Sequence, residues 1–324
     1  MPERCQPVTG TRWRALVAPG LRLLLILSLF IFYGCGPEEE ATLVDLTQRA
    51  EVPYEQPERA VTYAYLPQYA HQVSYQRHRL LVDYLSRTIG LPVRQIFPST
   101  FDEHVKMVGQ EQIDISFSNP FIYVKLARQF GARAIARSVE KNGWQAFRGQ
   151  IICRADNPRI RSLQDCRGKR WIAVDRTSAG GYLFPLGLFM SQGLDLNDFA
   201  EVAFAPGSAG RQEKVVLAVY AGRYDIGSIR EGTLEVVADK IDVRLIRVLA
   251  DTPWYPGWVY AVRRGLAPEL AARIGQALID LDPDQPEQQR VLDAAQFQRI
   301  IPSADADFDP VRDLAAQLKM DLNR

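Results

Sequence analysis

Five short stretches carry the residue types that could do chemistry. They are "LPQYAHQ" with Gln68, Tyr69 and His71; "SNPF" with Ser118 and Asn119 ahead of Pro120; "VDRTSAGGYLFP" with Ser178, Ala179, Gly180 and Gly181; "PGSAGRQEK" with Gly207, Ser208, Gly210 and Arg211; and "GSIREG" with Ser228 and Arg230. All are rich in short polar residues or glycine, and all sit beside an apolar run. Hydroxyls and bare amides at a helix start donate hydrogen bonds to an oxyanion, and the helix dipole adds partial positive charge there. Each charge-assisted bond contributes about 1.5–3 kcal/mol, so several converging on one buried group support tight binding. Ser, Asn and Gly are also the commonest caps and turn formers. Any one stretch alone therefore reads as a plain turn. The case for a site rests on five of them falling at the same end of two sheets.

Other chemistries fit poorly. Ser178 with Gly180 gives half of a G-x-S-x-G elbow, but Arg176 stands where the first glycine belongs. A hydrolase of that type also needs a histidine after its serine. The histidines are His71, His78 and His104, all N-terminal to Ser178. His71 and His78 lack the H-E-x-x-H spacing of a zinc site, and the phosphate loop G-x-x-x-x-G-K-[ST] is absent. His78 and His104 read as helix-surface residues, whereas His71 could line a cleft. The expectation is a binding protein without catalytic residues, metal or cofactor. A net charge of +1 argues against nucleic acid as a partner. Arg159, Arg161, Arg167, Lys169, Arg170 and Arg176 read as a solvated face or as a positive rim that steers anions. Trp254, Tyr255 and Trp258 read equally as cleft lining and as packing under a crossover.

The elements that must position these turns alternate. "VTYAYL", "LPVRQIF" and "IDISFS" read as strands. The helices between and after them are "VSYQRHRLLVDYLSRTIG", "TFDEHVKMVG" and "NPFIYVKLARQFG". "RAIARSV" and "GQIICRA" are strands, and a second alternating series starts at "WIAV" (Trp171 to Val174). After it, "GWVYAVR" is a return strand and two helices close the chain, with Pro268 and Pro310 near their starts. This alternation predicts an α/β fold with two parallel sheets, helices on both faces and ligand sites beyond the carboxyl ends of the strands.

The N-terminus is of another kind. Arg4, Arg12, Arg14 and Arg22 precede the 12-residue apolar run "LLLILSLFIFYG", too short to span a bilayer and followed by Cys35. This reads as a lipoprotein signal peptide over residues 1–34, with Cys35 as the lipidation site and residues 35–60 as a flexible acidic tether. Without residues 1–34 the chain has 35 basic and 37 acidic residues, a net of −2. The expected location is exported and membrane-anchored. Export permits a disulfide between Cys153 and Cys166; the spacing leaves that pairing open.

Taken together, "LLVDYLSRTIGLPV", "IDISFSNPFIYV", "IICRADNPRIRSLQDCRGKRWIAVD", "SAGGYLFP", "VVLAVYAGRYDIGSIREGTLE" and "WVYAVRRGLAPEL" make the chain resemble the phosphate/phosphite/phosphonate substrate-binding proteins of ABC transporters. The resemblance runs from about Val61 to Leu318. It implies a two-lobe type II periplasmic-binding fold with crossover strands: lobe 1 from 61–148 and 251–324, lobe 2 from 149–250. It also implies a small phosphorus oxyanion as ligand and an ABC permease as partner. The family's cradle is a Ser-Thr-Ser-Gly-Tyr run. Here Ser178, Gly181 and Tyr182 match it, while Ala179 and Gly180 lack the hydroxyls and offer amides only. The ligand set is then Tyr69, Ser118, Asn119, Tyr123, Ser178, Ala179, Gly180, Gly181, Tyr182, Ser208, Arg211 and Arg230. A receptor of the same fold that reports to a sensor kinase, or a binder of a different small anion, stays open as an alternative.

Overall fold

The structure is a computed structural model that describes residues 60–207 and 210–323. The leader, Cys35, the tether and Ser208 lie outside the described residues. Among those described, no helix is long and apolar enough to cross a membrane.

The first alternating series reads β1 (Val61–Tyr65), α1 (His71–Ile89), β2 (Val93–Ile96), α2 (Phe101–Gly109), β3 (Ile115–Ser118), α3 (Pro120–Phe130) and β4 (Arg133–Glu140). A short strand β5 (Ala146–Phe147) leads out of it. Then come β6 (Gly149–Arg154) and β7 (Arg170–Ala173), followed by a π-turn (Ala179–Leu183) that runs into α4 (Phe184–Ser191). The second series continues with β8 (Glu201–Phe204), α5 (Arg211–Tyr220), β9 (Ile226–Arg230), α6 (Thr233–Val236) and β10 (Ile246–Asp251). The chain returns through β11 (Tyr255–Pro256) to β12 (Val259–Val262), α7 (Pro268–Ile279), α8 (Pro286–Ala295), β13 (Phe297–Pro302) and α9 (Asp309–Gln317). The local reasons are those of the sequence. Gly90 and Gly131 end α1 and α3 in the left-handed conformation, and Pro120, Pro268 and Pro286 sit in the first turns of their helices.

Two sheets form, one in each lobe. The first has the order β13-β4-β12-β3-β1-β2, the second β10-β6-β9-β7-β8. A two-stranded ribbon of β5 and β11 joins the outgoing and returning crossovers. The expectation of purely parallel sheets needs correction. The β2-β1-β3 and β8-β7-β9 trios are parallel, but β12, β13, β6 and β10 pair antiparallel with their neighbours. The reason is topological: β6 and β12 enter their sheets from the other lobe, so they run against the strands already there.

Central strands are covered on both faces, as in β3, whose four residues are all buried. Lobe 1 packs Tyr63, Tyr65, Phe117 and Tyr260 against Leu81, Leu85 and Ile274. Lobe 2 packs Trp171, Phe189 and Phe199 on one side of its sheet and Val215, Val216 and Val219 on the other. Cys153 and Cys166 are free thiols buried in the first of these layers, and burial pushes the Cys166 thiol up to about 12. The possible bridge is therefore not formed. His78 and His104, expected on helix surfaces, are instead buried on the core faces of their helices. His78 Nδ1 lies 2.7 Å from Tyr63 Oη, and His104 Nε2 lies 2.7 Å from Ser116 Oγ.

Candidate functional site: the junction of the two lobes

Both sheets share the centre order in which the first strand of a series lies between the second and third. That is a switch point, where α/β sheets place ligands beyond the carboxyl ends of the strands. In lobe 1 those ends are Tyr65, which leads to Gln68 and Tyr69, and Ser118, which leads to Asn119. In lobe 2 they are Ala173, which leads to Ser178, and Arg230.

Asn119 caps α3: its Oδ1 accepts from Phe121 N at 2.9 Å and from Ile122 N at 3.0 Å. Its Nδ2 donates to Thr177 O at 3.4 Å, across the lobe boundary. Ser118 Oγ, fully buried beside it, has no partner among the described residues. On the opposite side, Asp175 accepts from Thr177 N (2.8 Å) and Thr177 Oγ1 (2.7 Å), which turns the chain toward Ser178. Ser178 Oγ accepts from Gly181 N at 3.1 Å, and Ser178 O accepts from Tyr182 N and Leu183 N. The π-turn thus leaves the Ala179 and Gly180 amides without a partner among the described residues. A second pair of helix starts meets nearby. A Cβ on Gly210, the residue before α5, would lie 3.8 Å from Ala70 N, the residue before α1. Neither has a side-chain cap.

Several expected ligand residues are committed elsewhere. Gly181 N is taken by Ser178 Oγ. The Tyr182 ring is buried between Trp171 and Phe204 in the lobe 2 core. Tyr123 donates to Asp305 Oδ1 at 2.6 Å, and its ring lies 4.6 Å from that of Phe308 at a tilted angle of 57°. Arg211 is ion-paired with Asp175, so its charge stabilises the turn rather than standing free. Ser228 accepts from Trp171 Nε1 at 2.9 Å and donates to Gly181 O at 2.6 Å, pinning the turn from below. His71 Nε2 lies 3.1 Å from Pro98 O. Of the basic cluster, Arg167 pairs with Asp198 and Arg170 with Asp225 on an exposed face.

Tyr69 and Arg230 do come together, in an interlobe cleft of about 500 Å³ lined also by Arg77, Glu140, Phe147 and Trp254. The Arg230 guanidinium lies 5.3 Å from the Phe147 ring centre and 5.8 Å from that of Trp258. It is ion-paired with Glu140 of lobe 1. Arg77 lies 4.8 Å over the Tyr69 ring. The cradle does not line this cleft. A Cβ on Gly180 would meet Phe147 Cε2 at 3.0 Å and Arg230 Cα at 3.3 Å, so Phe147 and Arg230 form the wall between cradle and cleft. Arg77, Glu140 and Phe147 were missed by sequence reasoning. Glu140 and Arg230 are 90 positions apart, and Phe147 lies in a two-residue strand with no periodicity to betray it.

A family model described as "ABC transporter, phosphonate, periplasmic substrate-binding protein" matches residues 63–308. The phosphate-import protein PhnD of Mycolicibacterium smegmatis is 24% identical over 250 residues, covering 72% of this chain and 77% of that protein. A binding-protein component of an ABC phosphonate transporter from Pseudomonas aeruginosa superposes with a TM-score of 0.72 at 19% identity, covering 80% of this chain and 86% of the other. PhnD1 of Prochlorococcus marinus, solved with methylphosphonate, gives 0.70 at 17% identity, covering 81% and 99%. Match length and shared fold lead to one conclusion: this chain belongs to the family of periplasmic substrate-binding proteins of phosphonate ABC transporters.

Proposed function

We propose that the chain is a lipid-anchored, extracytoplasmic binding protein that captures a small phosphorus oxyanion between its lobes and delivers it to an ABC permease. The observation that carries the ligand reading is the meeting of two helix starts across the lobe boundary. Asn119 Nδ2 reaches Thr177 O, with the buried, unpartnered Ser118 Oγ on one side and the Ala179 and Gly180 amides on the other. Donors from both lobes that engage one anion favour the closed state. Tyr69 and Arg230 line the neighbouring interlobe cleft, with Arg230 in the wall between cleft and cradle. The relatives named for phosphate import and solved with methylphosphonate motivate the choice of phosphonate, phosphite or phosphate. Cys35, after an apolar leader, is the anchor in this reading.

A thermal-shift panel of phosphate, phosphite, methylphosphonate and sulfate tests the ligand. At ligand roughly 100-fold above Kd, binding to the folded state alone stabilises it by about 2.7 kcal/mol. A phosphorus anion should raise the unfolding temperature while sulfate does not; no response to any phosphorus anion overturns the reading.

A further inference from the structure

Gly180 is hemmed in by three neighbours. A Cβ on it would lie 3.0 Å from Phe147 Cε2 and 3.3 Å from Arg230 Cα. The start of β6 presses from a third direction, where a Cβ on Gly149 would overlap Gly180 O. The rest of the cradle is buried to match: Ser118 and Ala179 are 0% exposed, Asn119 and Ser178 3%. An anion held there is enclosed, so any substituent it carries needs room that one of these neighbours now fills.

Two of the three are backbone. Arg230 N donates to Gln212 Oε1 at 2.9 Å, and Gly149 N donates to Thr252 Oγ1 at 2.9 Å, so neither strand is free to shift. The third is a side chain. Phe147 is 3% exposed, and its ring is held by the Phe184 ring at 5.3 Å and the Arg230 guanidinium at 5.3 Å. Phe184 directly follows the π-turn and stacks on Tyr255 at 4.0 Å. Tyr255 in turn pairs with Phe147 in the β5-β11 ribbon. Cradle, ring and ribbon are therefore one packed unit, and a close-packed ring does not swing aside without leaving a hole. On its other side Phe147 lines the 500 Å³ cleft. Of the three neighbours, it is the one whose truncation would join the cradle to that space.

We propose that Phe147 sets the size of the ligand: the cradle takes compact phosphorus oxyanions such as phosphate, phosphite and methylphosphonate and excludes organophosphonates with a bulky substituent. This inference rests on the phosphorus-oxyanion reading above and adds a limit that the hydrogen-bond donors do not impose, since every phosphonate offers them the same oxygens.

Calorimetry on the full chain with methylphosphonate and phenylphosphonate tests it. In the unmodified protein phenylphosphonate should bind more than about tenfold more weakly than methylphosphonate. Phe147→Ala should raise phenylphosphonate affinity by roughly tenfold or more, a gain that a damaged fold does not produce. Phe147→Tyr keeps the ring and should keep the rejection. Where Phe147→Ala lacks a cooperative unfolding transition, Phe147→Leu takes its place with a smaller gain in the same direction. Equal affinity for the two ligands in the unmodified protein overturns the size limit alone, as does the absence of any gain in the folded truncation variant. Failure of phosphate, phosphite and methylphosphonate all to bind the unmodified protein overturns the phosphorus reading and this inference with it.

Discussion

Glycine 180 and serine 178 lie two positions apart and fail differently when changed. A side chain at Gly180 has no space: its Cβ would meet the Phe147 ring and the Arg230 backbone, which together wall the cradle. Gly180→Val should therefore abolish anion binding, because the wall cannot close over the turn. Ser178→Ala removes a cap that accepts one amide hydrogen, and such losses cost about 0.5–2 kcal/mol. It should weaken binding several-fold without abolishing it. Calorimetry with the best ligand of the thermal-shift panel separates the two, and equal small effects would reduce the stretch to a plain turn. Gly181 is a further case. A Cβ there falls inside the Val174 side chain, so Gly181→Ala acts on folding rather than on the ligand.

Among the elements, α1 and α2 are the surprise. Each carries one histidine on its buried face, and the desolvation of His78 and His104 lowers both from 6.5 to about 3. The folded state keeps them neutral, whereas the unfolded chain protonates them below 6.5. Stability is thus fully present above 6.5 and is lost as pH falls toward 3, by up to about 1.4 kcal/mol per pH unit for each histidine. Urea midpoints measured across that window should fall steadily with acid, and His78→Gln should remove part of the slope. A flat profile would mean that the histidines are hydrated in solution. Helical periodicity placed α1 on the sequence, with Val73, Leu80, Leu81, Tyr84 and Leu85 on one face. It did not place His78 on that face, because a histidine scores as polar until a buried hydroxyl such as Tyr63 is there to meet it.

At the scale of the whole molecule, three devices among the described residues tie the two lobes, besides the Asn119–Thr177 hydrogen bond. The crossovers pair as β5 and β11, and the Trp144 and Trp254 rings stack on them at 4.2 Å with an interplanar angle of 3°. Arg148 lies over Trp254 and bridges Glu231 at 2.9 Å and Asp251 at 3.3 Å. Arg230 pairs with Glu140 from one lobe to the other. The first two sit on the crossovers and hold them together in any arrangement of the lobes. The third spans the cleft, so it holds this arrangement only. Glu140→Gln leaves a buried guanidinium without its counter-charge, which is costly. The ligand-free variant should therefore open, and small-angle scattering should show a larger radius of gyration than for the unmodified protein. An unchanged radius would show that the pair is not what keeps the lobes together.

What the amino-acid order determined is what local rules control. The alternation of apolar runs and amphipathic helices set the α/β class and its two series. Asn119 with Pro120 announced the start of α3. Those signals act over a few residues and are printed in composition and period. Tertiary structure alone decided which turn residues stay available. Gly181, Tyr182, Arg211 and Ser228 are held by Ser178, Trp171, Asp175 and Gly181 O, partners that a linear pattern does not pair. It alone also reversed the crossover strands and brought Glu140 to Arg230. A hydrogen-bond donor is free or spent according to what the fold sets beside it, and that neighbour comes from anywhere in the chain.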